Sequence, residues 1–130
     1  MPIQDHFPLP ASAQDLPLAE DPAAQFYLCF ISSTDPATKQ SWCPDVRAAL
    51  PHLKAVFEGE NAAQLAYVHV GQRPEWKDLD NVHRKKWNIN AVPTLVRFQR
   101  VDGRIRETGR LVEGELLVER KLTSLTSGQS

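Results

Sequence analysis

Two uninterrupted apolar runs limit what this chain can fold into. Residues 25–31 (Gln-Phe-Tyr-Leu-Cys-Phe-Ile) and residues 65–70 (Leu-Ala-Tyr-Val-His-Val) are short, rich in aromatic and β-branched side chains, and do not alternate with polar residues. Runs of that kind suit strands covered on both faces of a sheet. Between them the spacing predicts a helix over residues 44–58. Val46, Leu50, Leu53 and Phe57 fall along one face of it, and Gly59 offers a stop. Pro51 lies inside this pattern and predicts a kink. Strand, helix and strand in that order imply a right-handed crossover between parallel neighbours.

The rest of the chain extends this plan. Residues 80–87 read as a short helix with Asp80 as N-cap. Residues 94–100 and 104–111 read as strands joined at Asp102-Gly103, a strong hairpin signal. Residues 113–125 close the pattern as an amphipathic helix, with Leu116, Leu117, Arg120 and Leu125 turned partly inward. Five of the ten prolines (Pro2, Pro8, Pro10, Pro17 and Pro22) precede residue 23, which favours extended or irregular backbone with room for one short strand. The expected organisation is a Pro-rich arm over 1–22, an α/β domain over 23–125 with a mixed central sheet flanked by helices, and a polar tail over 126–130.

Composition narrows the function classes. A length of 130 residues fits a single domain. Fifteen Lys and Arg against 16 Asp and Glu remove the electrostatic basis for a dedicated nucleic-acid binder. No apolar run approaches the roughly 18–20 residues needed to cross a bilayer. Met1-Pro2-Ile3-Gln4-Asp5-His6 lacks the basic and apolar regions of a secretory signal. Two cysteines, Cys29 and Cys43, cannot staple a secreted scaffold, so a soluble intracellular domain with reduced thiols is expected.

The chemistry concentrates in Ser41-Trp42-Cys43-Pro44-Asp45-Val46, where a loop enters the predicted helix. Pro44 suits the first helical position, where its missing N–H costs nothing. Cys43 then faces unsatisfied backbone N–H groups and the positive end of the helix dipole, both of which favour thiolate over thiol. The alternative is a cysteine that merely packs under Trp42. The Asp45 carboxylate opposes a thiolate, and Lys39 and Arg47 oppose Asp45, so the direction of the thiol pKa stays open. Later in the chain, Asn90-Ala91-Val92-Pro93-Thr94 sets a proline directly before a strand, a position that exposes backbone groups beside it.

Together, Trp42-Cys43-Pro44, Pro51 and Val92-Pro93-Thr94 before a hairpin resemble the thioredoxin fold. More closely, the chain resembles the small cytosolic thioredoxin-related proteins with a Trp-Cys-Pro-Asp-Cys site. Val70-Gly71-Gln72-Arg73-Pro74-Glu75-Trp76-Lys77-Asp78 and the inserted loop over 32–41 are similar too, and the resemblance covers roughly residues 24–125. It implies that Cys43 is the attacking nucleophile and that Trp42, Pro44, Asp45, Val92 and Pro93 contact substrate. Val46 stands at the resolving position, so ordinary dithiol turnover is unavailable. The implied activity is that of a protein-disulfide reductase reduced to monothiol exchange. It needs no cofactor, with glutathione as a candidate thiol co-substrate. The implied partners are disulfide-containing or glutathionylated proteins and, as a candidate, thioredoxin reductase; the implied location is the cytoplasm.

Two other readings compete: a redox-inactive binding module that keeps the same groove, and a peroxidatic or redox-sensing Cys43. Cys29, inside a strand run, reads as a core cysteine. His52, His69 and His83 have no paired spacing, and no metal ligand set is expected from them. Trp76 and Trp87 read as packing residues, with the segment around Trp76 as a loop, and Lys85 and Lys86 as a solvated face.

Overall fold

The computed structural model describes residues 3–59 and 62–126. Its order is β1 (Ile3–Gln4), β2 (Gln25–Ile31), α1 (Pro44–Phe57), β3 (Gln64–His69), α2 (Arg73–Lys77), α3 (Val82–Trp87), β4 (Thr94–Val101), β5 (Arg104–Val112) and α4 (Glu119–Thr126), with short 3-10 turns at Ala13–Asp15 and Glu113–Leu117. The five strands form one mixed sheet in the order β1-β3-β2-β4-β5. β1, β3 and β2 run parallel, β4 runs antiparallel to β2, and β5 runs antiparallel to β4. Most of the expected tail lies outside the described residues.

The two apolar runs became the buried centre of the sheet. Phe26 to Ile31 are buried throughout, and Leu65 to Val68 are buried opposite them, with Tyr27 level with Leu65 and Cys29 level with Tyr67. Helix α1 lays Val46, Ala49, Leu53 and Phe57 onto this sheet, while Leu50 is only half-buried. The helix continues through Pro51.

Several expectations change. Residues 73–77, read as a loop, form α2, and the Gln72 N–H donates to Glu75 Oε1 at 2.9 Å across its first turn. The N-cap of α3 is Asn81, not Asp80: its side-chain oxygen accepts from His83 N–H at 2.9 Å, while its amide donates to Val70 and Glu75 carbonyls. One side chain thus ties β3, α2 and α3 together, which Asp80 could not do for want of a donor. The expected helix over 113–125 is broken at Val118. Leu116, Leu122 and Leu125 face the core, whereas Leu117 and Arg120 are exposed.

The Pro-rich arm packs as an outer layer on the sheet. β1 pairs with β3, and Leu16 and Leu18 enter the core. At the other edge the Gln14 side chain donates to the Ile105 carbonyl at 2.7 Å and accepts from the Ile105 N–H at 3.1 Å. It thereby occupies β5 groups that an exposed edge would offer to other chains.

Arg97 is the largest fully buried side chain. Its guanidinium donates to Thr108 Oγ1, the Thr108 carbonyl and the Leu125 carbonyl at 2.9, 2.8 and 2.9 Å. A cation thereby closes the C-terminal end of α4, where helix carbonyls lack partners. Gly109 leaves room for this approach: a Cβ there would stand 2.5 Å from Leu125 Cδ1 and 3.3 Å from Arg97 Nη2, so the Leu125 side chain would have to shift.

Candidate functional site

Cys43 is the N-cap of α1, with extended backbone (φ −94°, ψ 121°) and Pro44 at the first helical position. Its side chain makes no capping bond. Instead the thiol donates towards the Val92 carbonyl, with sulfur and oxygen 3.8 Å apart. The Val92–Pro93 peptide is cis. Loop and strand start, separated by the whole of α1 and β3 in sequence, therefore meet at one sulfur.

The loop before Cys43 is fixed from below by serines and from the side by a glycine. Ser32 and Ser41 are buried and joined by a short hydroxyl–hydroxyl hydrogen bond, and the Cys43 N–H donates to Ser32 Oγ at 3.3 Å. Arg47 donates to the Ser41 carbonyl at 2.6 Å, which engages its guanidinium with the loop. Gly71 supplies a carbonyl that accepts from both Ser33 N–H (3.2 Å) and Trp42 Nε1 (2.9 Å), while its own N–H donates to Ser33 Oγ at 2.9 Å. Its φ of +107° and the 2.9 Å separation that a Cβ would have from Glu75 Cβ both require glycine. Arg73, from the first turn of α2, lies over the Trp42 ring at 4.7 Å and donates to the Trp42 carbonyl at 3.4 Å.

A cleft of about 430 Å³ opens on the sulfur, with Trp42, Cys43, Asp45, Arg73, Ala91 and Val92 in its wall. Of the residues singled out from the sequence, Trp42, Cys43, Asp45 and Val92 therefore meet in one cleft. Pro44 is exposed beside Cys43, and Pro93 is buried next to Val92. Val46 is fully buried under the helix. Cys29 is fully buried in β2, both cysteines are free, and burial pushes the Cys29 thiol far above its ordinary value. Such a thiol is a poor nucleophile at neutral pH.

Trp76 and Trp87 take the packing roles expected of them. Trp76 is buried under the Arg84 guanidinium at 3.8 Å, and Trp87 sits between the rings of Phe30 and Phe98. Lys85 and Lys86 are exposed. The sequence reading did not single out Ser32 or Gly71, whereas the segment carrying Arg73 was expected on the active-site side and is found there. A glycine ending an apolar run marks a turn, but nothing local says that its carbonyl will hold a tryptophan from another loop. It also overlooked a grouping of possible metal ligands away from the cleft wall, because His6 was not weighed with His69. Among the described residues, Asp5, His6 and His69 bring one ligand atom each to within 4.8 Å of the others. No helix among the described residues is long and apolar enough to cross a membrane.

Comparison with known proteins agrees with this geometry. The chain is 38% identical over 97 residues to a thioredoxin domain-containing protein of Schizosaccharomyces pombe, covering 75% of this chain and 78% of that one. It is 33% identical over 105 residues to the thioredoxin-like protein Clot of Arabidopsis thaliana, covering 76% and 78%. Human thioredoxin domain-containing protein 17 is 41% identical over 73 residues, covering 53% of this chain and 56% of its own. Among solved structures, Trichomonas vaginalis thioredoxin superposes with a TM-score of 0.54 at 13% identity over 92% of both chains. Plasmodium falciparum thioredoxin has the same TM-score and identity over 79% of this chain and 71% of its own. These two share the fold. The model of the family described as "thioredoxin domain-containing protein 17-like, thioredoxin domain" matches residues 11–123, and the chain belongs to that thioredoxin-like family.

Proposed function

We propose that this protein carries out thiol–disulfide exchange with a single thiol, that of Cys43. The observation that carries this reading is the sulfur itself: half-buried at the start of α1, open to a cleft, and 3.8 Å from the Val92 carbonyl. The Cys43 thiolate attacks one sulfur of a protein disulfide or of a glutathione mixed disulfide. The substrate S–S bond breaks, a new Cys43–substrate disulfide forms, and the departing thiolate takes up a proton. Neither Val46 nor the buried Cys29 can attack that intermediate. An external thiol of the glutathione class must do so, forming its own disulfide with the substrate fragment and releasing the Cys43 thiolate. No cofactor takes part.

In this scheme Trp42 and Pro44 form the surface a substrate meets, Val92 and Pro93 offer backbone to an extended substrate chain, and Asp45 sets the charge beside the sulfur. Substrates are disulfide-containing or glutathionylated proteins, and the setting is a reducing compartment, the cytoplasm. Thioredoxin reductase fits this scheme only as a partner that reduces the mixed disulfide, since no internal disulfide forms at the site. The test is intact-mass spectrometry after mixing the protein with a glutathionylated peptide. A single adduct, mapped to Cys43 and absent from Cys43→Ser, supports the proposal; no adduct above that control overturns it.

Val46 also favours a second reading, a redox-inactive binding module that uses the same cleft to hold partners. That reading expects partners captured equally by the wild type and by Cys43→Ser.

A further inference from the structure

The arm and the end of β3 converge on three side chains that the exchange reaction does not use. β1 lies parallel to β3 with Ile3 level with Leu65, and the Phe7 N–H donates to the Tyr67 carbonyl at 3.0 Å. This path carries Asp5 and His6 alongside His69, the last residue of β3. His6 takes a left-handed backbone (φ 51°), a conformation uncommon outside glycine. Its ring lies flat on that of His69, with centroids 4.0 Å apart and planes 7° from parallel. The two imidazoles share one carboxylate: His69 Nε2 is 2.8 Å from Asp5 Oδ1, and His6 Nε2 is 3.6 Å from Asp5 Oδ2.

His69 is the fixed member, its side chain only 13% exposed, while those of Asp5 and His6 are 59% and 72% exposed. The nitrogen that faces the cluster is His69 Nε2, while Nδ1 on the far side of the ring is buried without a hydrogen-bond partner among the described residues. A cavity of about 540 Å³ opens beside the cluster, with Asp5, Tyr67 and His69 in its wall.

We propose that Asp5, His6 and His69 bind one divalent cation of the zinc class. Two imidazole nitrogens and one carboxylate oxygen match the donor preference of zinc and its neighbours, whereas calcium and magnesium take oxygen donors. Zinc holds such donors at about 2.0–2.2 Å, so binding turns the exposed His6 ring out of its stack, bringing its nitrogen and the Asp5 carboxylate to the ion held by the anchored His69. The remaining coordination position opens to solvent or to the neighbouring cavity and takes water. The ligands join β1's end to β3's end, so the cation fastens the arm to the sheet edge. Asp5 and His6 precede residue 11, where the family match begins, and His69 lies within it.

The test is titration of the full chain, in a Cys43→Ser background that removes the reactive thiol as a competing ligand. The metals are zinc, followed by calorimetry and thermal melting, and cobalt, followed by its visible absorption. The expected result is one equivalent bound with micromolar affinity and a melting temperature that rises with zinc. Because His6 is exposed, His6→Ala keeps the fold and weakens binding at least about tenfold. Asp5→Asn weakens it in the same direction, and His52→Ala, a change at a histidine on α1, leaves it unaltered. Binding weaker than millimolar, or affinity unchanged by His6→Ala, overturns the proposal.

Discussion

Val46 follows Cys43 by one turn of α1, and its side chain is fully buried where that of Cys43 is half-buried at the N-cap. Residues three apart are neighbours on a helix surface, so the position that a second sulfur needs is present and filled by an isopropyl group. Val46→Cys should therefore reduce insulin disulfides under dithiothreitol, and the wild type should not. The substitution removes little buried volume and should cost about 1 kcal/mol in chemical denaturation. A variant that folds but reduces insulin no faster than the wild type would show that the scaffold, not the missing thiol, limits turnover.

Gly71 acts on the same site from a distance. Alanine there meets both a left-handed backbone and the Glu75 side chain, and the expected cost is about 1–3 kcal/mol. The displaced carbonyl releases Trp42 Nε1 and the Ser33 N–H, and the loop holding Cys43 loosens. Exchange with a glutathionylated peptide should slow by about three- to tenfold, with Cys43 still the residue modified. Stopped-flow rates for Gly71→Ala against the wild type measure this.

Much of the fold was legible because its central strands are unbroken apolar runs and its hairpin carries Asp102-Gly103. Cys43, Val92 and Pro93 were legible through their neighbours, Trp42 and Pro44 on one side and Thr94 on the other. What escaped depends on contacts remote in sequence. α2 is five residues long with a proline in its first turn, and no pattern that short has a readable period. Residues 113–125 carry helical spacing, but the chain re-aims at Val118 so that Leu122, not Arg120, meets the core. Asn81 outcompeted Asp80 through carbonyls of Val70 and Glu75 that only the folded chain brings near.

Arg97 sits between Leu95-Val96 and Phe98 in β4, and it organises the C-terminal layer. No carboxylate among the described residues lies within ion-pair distance of it, and its charge is satisfied by Thr108 and Leu125 oxygens. Tyr27, whose hydroxyl also donates to the Leu125 carbonyl at 3.2 Å, is raised to about 12 by burial against the opposing pull of Arg97. Arg97→Met leaves buried carbonyls unpaired and should destabilise by about 2–4 kcal/mol in urea unfolding. A loss under about 0.5 kcal/mol, the size of an ordinary surface substitution, contradicts this account.

His83 packs its ring edge-to-face on Phe30, with centroids 5.9 Å apart, and burial lowers its pKa below the ordinary 6.5. The unfolded chain then takes up a proton at a higher pH than the folded one. Stability should fall as pH drops below about 6.5 and level off once the folded-state imidazole also protonates. His83→Gln should flatten that part of the curve. Denaturation midpoints between pH 7.5 and 5 for both proteins check it, and parallel curves contradict it.

The central claim is that one sulfur suffices when a second thiol is supplied from solution. Its most direct measurement is steady-state deglutathionylation of a peptide by the wild type over a range of glutathione concentrations. The expected rate is proportional to protein, rises with glutathione, vanishes without it after one turnover, and is absent in Cys43→Ser. A wild-type rate equal to that of Cys43→Ser at every glutathione concentration would contradict the claim and leave the cleft as a binding site alone.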